Sequence, residues 1–263
     1  MKRIALSLAA IALLASCAKN PITGRSSLNL LPESEMMSMS YTEYRGIIQK
    51  SQVISTGKDA EMVKRVGQRI ANAVTTYMNS KGLQKNLQGY QWEFNLVQGA
   101  EVNAWCMPGG KVVVYTGLMP VAQTETGLAV VMGHEIAHAI AKHGNERMSQ
   151  QLAQQAGGVA LSVALANKPQ QTQDLFMASY GVGSNLAVML PYSRKHESEA
   201  DEMGLIFMAM AGYDPNEAVN FWQRMSKVGG SKPPELLSTH PSDATRIQNL
   251  QKLIPKAMTY YKK

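Results

Sequence analysis

The sequence predicts one α+β domain that is mostly helical and contains a small mixed β-sheet. Apolar residues recur at the helical spacing of i, i+3 and i+4 in two early stretches and over most of the chain after residue 124. A short region between them alternates apolar and polar residues, which is typical of half-buried strands. With 263 residues, of which 45% are apolar and 17% charged, the chain can bury one core and carries no long charge block that would indicate disorder.

The first 16 residues predict a lipoprotein signal peptide. Lys2 and Arg3 precede an apolar stretch at residues 4–15, and residues 14–17 resemble a lipoprotein cleavage box. The stretch is too short to span a bilayer. We therefore expect lipidation of Cys17 and a cell-envelope lipoprotein of the outer membrane that faces the periplasm. The alternative is a buried N-terminal helix with a chance cysteine.

Residues 17–30 are predicted to form the lipidated N-terminus and a linker, because they are polar and include Pro21 and Gly24. The folded domain is then expected at residues 31–263. Cys106 is left as a lone thiol, so no internal disulfide is expected.

The elements of this domain follow from local patterns. Pro32 opens a helix that runs to about Lys50, and a second amphipathic helix is predicted over residues 59–79. Residues 91–97 alternate as a strand, and residues 102–115 predict a hairpin with Gly109 and Gly110 at its turn. From residue 124 the pattern is helical, with interruptions near 167–169, 190–191, 212–215 and 229–234.

His134, Glu135 and His138 form an H-E-x-x-H pattern inside a helical stretch at residues 124–143. On a helix the two imidazoles lie about 40° and about 6 Å apart on one face, so both can reach one metal ion. A zinc site needs a third protein ligand and, for catalysis, an open position. We expect Glu197 as that ligand, and we expect Asp201, one turn later, to accept a hydrogen bond from a ligand imidazole.

Neighbouring polar residues have alternative interpretations. His196 is a competing ligand, but it points about 100° away from Glu197 on a helix. His143 is expected to cap the end of the H-E-x-x-H helix rather than to bind metal. Glu199 and Glu202 are expected on a solvated helix face.

Several separated motifs carry a family resemblance. They are V-N-A-W-C-M-P-G-G-K-V-V-V-Y-T-G-L at 102–118, G-H-E-I-A-H at 133–138, S-R-K-H-E-S-E-A-D at 193–201, A-G-Y-D-P at 211–215 and S-T-H-P at 238–241. From about Leu31 to about Leu253 the chain resembles zinc metallopeptidases of the HtpX and CAAX prenyl endopeptidase type. The likeness is strongest to their periplasmic lipoprotein members, such as LoiP and the protease domain of BepA.

This resemblance implies a zincin-like fold in which an edge strand borders the active-site cleft. It implies one zinc ion bound by His134, His138 and Glu197, with Glu135 as general base. His240 and Arg246 are candidate donors to the developing oxyanion by their positions in the family pattern. An extended peptide could add as a strand beside the expected substrate-binding residues, which are Asn103, Ala104 and Trp105.

The expected function is a membrane-anchored periplasmic zinc metalloendopeptidase that degrades unfolded or misassembled envelope proteins. Expected partners are unfolded polypeptides, the membrane through Cys17 and outer-membrane assembly machinery. The excess of seven basic residues is scattered, so nucleic acid is not an expected partner. The alternative is a chaperone-like assembly factor with a structural zinc. A weaker one is a lipid-binding lipoprotein that uses the apolar stretch at 157–190. We also expect His240 to occupy zinc in a resting state and to turn toward the oxyanion when substrate arrives.

Overall fold

The computed structural model describes residues 17–20, 22–156, 170–179, 193–228, 235–240 and 245–261. Its strands are β1 (Cys17–Lys19), β2 (Ser26–Leu28), β3 (Val53–Ile54), β4 (Glu93–Val97), β5 (Ala104–Met107) and β6 (Lys111–Tyr115). Its first helices are α1 (Glu33–Lys50), α2 (Lys58–Ser80), α3 (Met119–Ala122), α4 (Glu125–Ile140) and α5 (His143–Ala156). The later helices are α6 (Gln170–Ser179), α7 (Arg194–Met210), α8 (Glu217–Met225), α9 (Glu235–Thr239) and α10 (Arg246–Met258). The predicted signal peptide and most of the apolar stretch at 157–190 lie outside the described residues.

The sheet is mixed, which confirms the predicted α+β class. Its order is β3-β4-β6-β5, with β4 parallel to β6 and the outer pairs antiparallel. The turn between β5 and β6 passes through Gly109 and Gly110, whose φ angles are +81° and +83°. Residues with a Cβ rarely adopt this left-handed region, which explains the Gly-Gly pair.

Helices cover both faces of the sheet. Val112 and Val114 face a large core shared with α2, α4, α7, α8 and α10, whereas Val113 faces a smaller core with α1, α5 and α6. Because β6 is buried on both faces, its sequence is an apolar run rather than an alternation.

The two helices that carry the predicted metal ligands cross at a pair of glycines. A Cβ on Gly133 of α4 would lie 3.0 Å from the carbonyl oxygen of Gly204 on α7. This close approach of two backbones brings the H-E-x-x-H motif against the helix that carries Glu197. No helix in the described ranges is both long and apolar enough to cross a membrane.

The segment expected to be a linker instead begins with an ordered hairpin, in which β1 pairs antiparallel with β2. The Asn20 amide lies 3.3 Å from the Met203 sulfur on α7. Arg25 forms ion pairs with Glu146 on α5 and Glu199 on α7. The polar side chains that suggested a linker therefore form contacts with residues that are distant in the sequence.

The helix expected to run from residue 124 to His143 ends earlier, at Ile140. Lys142 adopts a φ of +60°, and a separate helix, α5, then begins at His143. The chain therefore turns at Lys142, one residue before the predicted end of the helix at His143.

Candidate metal centre

Four buried side chains from three segments meet beside the glycine crossing. His134 and His138 come from α4, Glu197 comes from the first turn of α7, and His240 directly follows α9. Capping residues begin the two long helices, because Thr124 accepts a hydrogen bond from the Gly127 amide and Ser193 accepts one from the His196 amide.

The ligand atoms have the spacing of a tetrahedral zinc site. His134 Nε2 lies 3.1 Å from His138 Nε2 and 3.3 Å from His240 Nδ1. Glu197 Oε1 lies 3.3 Å from His138 Nε2 and 3.0 Å from His240 Nδ1. Two ligands about 2.0–2.1 Å from a tetrahedral ion are separated by ~3.3 Å. The four groups therefore fit one zinc ion.

The charge around this cluster also fits a divalent cation. Glu135, Glu197 and Asp201 are buried carboxylates, and Arg246 is the guanidinium that contacts two of them. When all are ionised, three negative charges face one positive charge, and a zinc ion compensates the remaining two. Glu197 Oε2 makes no hydrogen bond, although the Arg246 guanidinium and His134 Nε2 lie 3.1 and 3.3 Å from it, so this oxygen can also interact with a bound cation.

Asp201 and Arg246 support the ligands from behind. Asp201 Oδ1 lies 3.0 Å from His134 Nδ1, in the position expected for an orienting acceptor. Arg246 donates to both oxygens of Asp201, at 2.7 and 3.0 Å, and its Nη1 lies 3.1 Å from Glu197 Oε2. Trp222, which the sequence reasoning missed, lies beneath the guanidinium, with the Arg246 Cζ 3.5 Å from its ring centroid. Arg246 thus engages carboxylates in this form, and its role as an oxyanion donor stays a prediction.

Glu135 lies on the side of the cluster where His240 enters. Its Oε1 is 3.4 Å from His240 Nε2 and makes no hydrogen bond. Burial raises the pKa of Glu135, although His240 and His134 oppose that shift.

Burial and neighbouring charges also shift the pKa values of the ligands. Burial lowers the pKa of His138 well below its usual value. In His134 burial has the same effect, but Glu197 and Asp201 outweigh it and raise the pKa to about 9. In Glu197 burial raises the pKa, but His240 and His134 overcome it and lower the pKa well below the usual value.

The predicted substrate strand lies at the sheet edge, since β5 has only β6 as its neighbour among the described strands. Asn103 Oδ1 accepts a hydrogen bond from the Ala104 amide. The ring of Trp105 is 2% exposed and packs edge-on against Tyr44 in the smaller core. Only the backbone of this segment can therefore receive a peptide, and the substrate role stays a prediction.

The structure corrects the expectations for two neighbouring residues, Glu199 and His143, and agrees with the expectation for His196. Glu199 is 6% exposed and contacts His143, so it does not lie on a solvated face. His143 does not cap α4; its Nδ1 lies 2.9 Å from Nδ1 of His138. His196 Nε2 lies 3.0 Å from Glu146, a contact outside the ligand cluster. The partners Arg25 and Glu146 were missed, because contacts between such distant residues leave no local pattern.

Comparisons with known proteins agree with this geometry. The profile of Peptidase family M48 matches residues 58–254. Mitochondrial metalloendopeptidase OMA1 of Schizosaccharomyces pombe is 36% identical over 64% of this chain and 48% of its own length. Human mitochondrial metalloendopeptidase OMA1 is 32% identical over 91% of this chain and 46% of its own length. The beta-barrel assembly-enhancing protease of Escherichia coli is 29% identical over 66% of this chain and 37% of its own length.

The expected outer-membrane, periplasmic location is wrong on these comparisons. The relatives with the strongest matches are mitochondrial by name, and the beta-barrel assembly-enhancing proteases match more weakly. A short basic and apolar leader does not by itself specify a compartment. Only the backbone of Cys17 is described, so its lipidation stays a prediction.

The chain spans about half the length or less of the relatives cited above. The family profile covers most of the chain, including the H-E-x-x-H motif and Glu197. The narrower HtpX and CAAX prenyl endopeptidase assignment stays a prediction. The chain belongs to peptidase family M48, and its buried ligand set fits a zinc-dependent metallopeptidase.

Proposed function

We propose that this enzyme cleaves extended or unfolded polypeptide segments, with Glu135 as the general base. The observation that carries the proposal is the Glu135 carboxylate, which is buried beside the ligand cluster and has no hydrogen bond at Oε1. A buried carboxylate oxygen that makes no hydrogen bond destabilises the fold and is therefore a mark of functional sites. A purely structural zinc site has no need for it.

The metal ligands and the general base have separate roles in the proposed reaction. His134, His138 and Glu197 hold zinc, which when bound supplies a Lewis acid that polarises the scissile carbonyl. Glu135 accepts a proton from the attacking water and returns it to the leaving nitrogen.

His240 holds the site in a resting form. Its Nδ1 lies within the ligand cluster, and its Nε2 lies against Glu135, so it occupies the space that a water and a carbonyl group need. The segment that carries it also contacts the chain just before the predicted substrate residues, because the Leu236 amide donates to the Val102 carbonyl at 3.3 Å. A peptide that pairs with the edge of β5 would displace α9 and move His240 with it.

The substrate class follows from this mode of entry. Backbone pairing along an edge strand requires an extended chain and tolerates many side chains. We therefore assign unfolded or misassembled proteins as substrates, in a protein quality-control role. The E. coli relative named for beta-barrel assembly supports such a role.

A second candidate function is holding unfolded chains without cutting them. The observation that favours it is the closed set of four protein ligands, which is typical of structural zinc sites. In that case His240 would stay on the metal permanently.

The test uses the purified full chain with zinc and an unfolded protein such as casein. Glu135→Gln keeps the shape of the side chain but removes the proton acceptor, so cleavage should fall by at least ~10²-fold while zinc content stays at one per chain. Glu125→Gln, on the same helix but outside the site, is the matched control and should cleave like the wild type. Wild-type protein that holds zinc and protects casein without cutting it would favour the second candidate. Cleavage by Glu135→Gln above a tenth of the wild-type rate would remove Glu135 from its role.

A further inference from the structure

A second buried cluster continues from the zinc ligand His138 toward the N-terminal hairpin. Nδ1 of His138, on the side opposite the ligand atom, lies 2.9 Å from Nδ1 of His143. Nε2 of His143 lies 3.2 Å from Oε2 of Glu199. His138 and His143 are 1% and 0% exposed, and both contacts are direct.

Metal binding fixes the direction of these hydrogen bonds. An imidazole that binds zinc through Nε2 carries its proton on Nδ1. His138 therefore donates to His143, which must accept at Nδ1. A neutral imidazole that accepts at Nδ1 carries its own proton on Nε2, and this proton is donated to Glu199. One arrangement of protons thus satisfies every contact between His138 and Glu199.

The N-terminal hairpin holds the far end of this chain of hydrogen bonds. Arg25 Nε donates to Glu199 Oε2 at 2.5 Å, and Thr23 Oγ1 donates to Glu199 Oε1. The other two guanidinium nitrogens of Arg25 donate to both oxygens of Glu146, at 2.8 and 2.7 Å. Arg25 is 174 residues from Glu199 in sequence, and its planar fork matches two carboxylates at once.

We propose that His143, Glu199 and Arg25 are positioning residues for the zinc ligand His138, so that the N-terminal hairpin is part of the metal site. The carboxylate of Glu199 keeps the His143 proton on Nε2, and His143 in turn fixes the ring and tautomer of His138. Arg25 and Thr23 keep Glu199 in place. The proposal depends on the zinc site and is independent of the proposed substrate class.

The first test changes His143 in two ways and measures the zinc dissociation constant by competition with a chromophoric chelator. His143→Asn places an amide oxygen near the position of Nδ1, so it can still accept from His138 and should bind zinc nearly as well as the wild type. His143→Phe keeps a flat ring in the same space but accepts nothing. We expect it to weaken zinc binding by about 10–100-fold. Equal affinity of the two variants would show that His143 only fills space and would overturn the proposal.

The second test concerns the hairpin. Arg25→Gln should weaken zinc binding by about tenfold. Its matched control is Arg65→Gln, which likewise removes an arginine–carboxylate ion pair. This pair joins Arg65 to Glu125, at the end of α4 that is distant from the zinc ligands. We expect the control to bind zinc like the wild type. If Arg25→Gln also binds like the wild type, the hairpin is not part of the metal site.

A double variant separates positioning from general loss of stability. If Arg25 acts through His143, Arg25→Gln adds no further loss of zinc affinity in the His143→Phe background. A further tenfold loss would contradict the proposed path. The ¹⁵N signals of His143 provide a second readout, because in the zinc-loaded wild type Nε2 should be protonated and Nδ1 unprotonated; the opposite tautomer would contradict the proposal. None of these measurements uses a peptide substrate, so failure of the proteolysis test would leave them unchanged.

Discussion

Replacement of Gly204 by alanine tests whether the glycine crossing builds the metal site. A Cβ at this position would lie 2.9 Å from the His134 amide nitrogen and 3.0 Å from the Gly133 carbonyl carbon. Both atoms belong to the backbone of α4 and cannot rotate away. Ordinary contact between such atoms is about 3.5–4.0 Å, so α4 and α7 must separate by about 0.5–1 Å.

That separation should lower both the stability of the fold and its affinity for zinc. Overpacking a tight core contact costs about 1–3 kcal/mol. For a domain of this size each kcal/mol lowers the midpoint of thermal unfolding by about 2–4 °C. Because α4 carries His134 and His138 while α7 carries Glu197, the same movement pulls the ligand atoms apart. We expect zinc affinity to fall by at least about tenfold.

The assay combines thermal unfolding, with zinc and with a chelator, and a zinc titration. Gly46→Ala is the matched control, because its Cβ would meet no atom within 4 Å and Gly46 lies inside α1. That variant should be more stable by about 0.5–1 kcal/mol and bind zinc unchanged. Wild-type stability and zinc affinity in Gly204→Ala would show that the helices separate at no cost, and the reasoning would fail.

Three further outcomes are expected. Glu197→Ala should lower zinc content measured by elemental analysis, whereas His196→Ala should leave it near one per chain; the opposite result would transfer the ligand role to His196. His240→Ala should raise basal casein cleavage if His240 blocks the site, or lower turnover by about 10²–10³-fold if it is mainly an oxyanion donor. Wild-type activity on folded and unfolded substrates would eliminate both roles. Hydrogen bonds from Arg25 and His196 outweigh burial and lower the pKa of Glu146 from 4.5 to about 2. The stability of the wild type over Glu146→Gln, on the order of 3 kcal/mol, should therefore be complete above about pH 5 and disappear as the pH falls from 4.5 to 2. Urea unfolding at several pH values measures this difference, and a pH-independent difference would contradict it.

Local sequence patterns are sufficient to predict most of the helices and strands of the fold. The helix α1 and the turn at Gly109 and Gly110 follow from periodicity and backbone conformation, which neighbouring residues determine. The pairing of His134 with His138 follows from helical geometry alone, since both lie within α4.

What the sequence did not reveal depends on contacts between distant segments. Glu199 was expected to face solvent, because glutamate side chains on helices are mostly exposed. Its burial depends on Arg25, which lies in a hairpin that composition alone suggested was a linker. His143 was misplaced because the end of α4 depends on the left-handed conformation of Lys142, which no strong propensity predicts.

The four ligands differ in how firmly the rest of the fold holds them, and this identifies the one that can exchange. His134, His138 and Glu197 lie on helices of 16 and 17 residues that cross through a backbone contact, so moving any of them would disrupt the main core. His240 follows a helix of five residues, whose fully buried side chain is Leu236. Exposing one such leucine costs about 1.5–3 kcal/mol. A backbone hydrogen bond contributes about 0.5–1.5 kcal/mol, so three or four bonds from a peptide paired with β5 can offset that cost. A single water molecule cannot offset it, so under the proposed function an extended substrate is the ligand that opens the site.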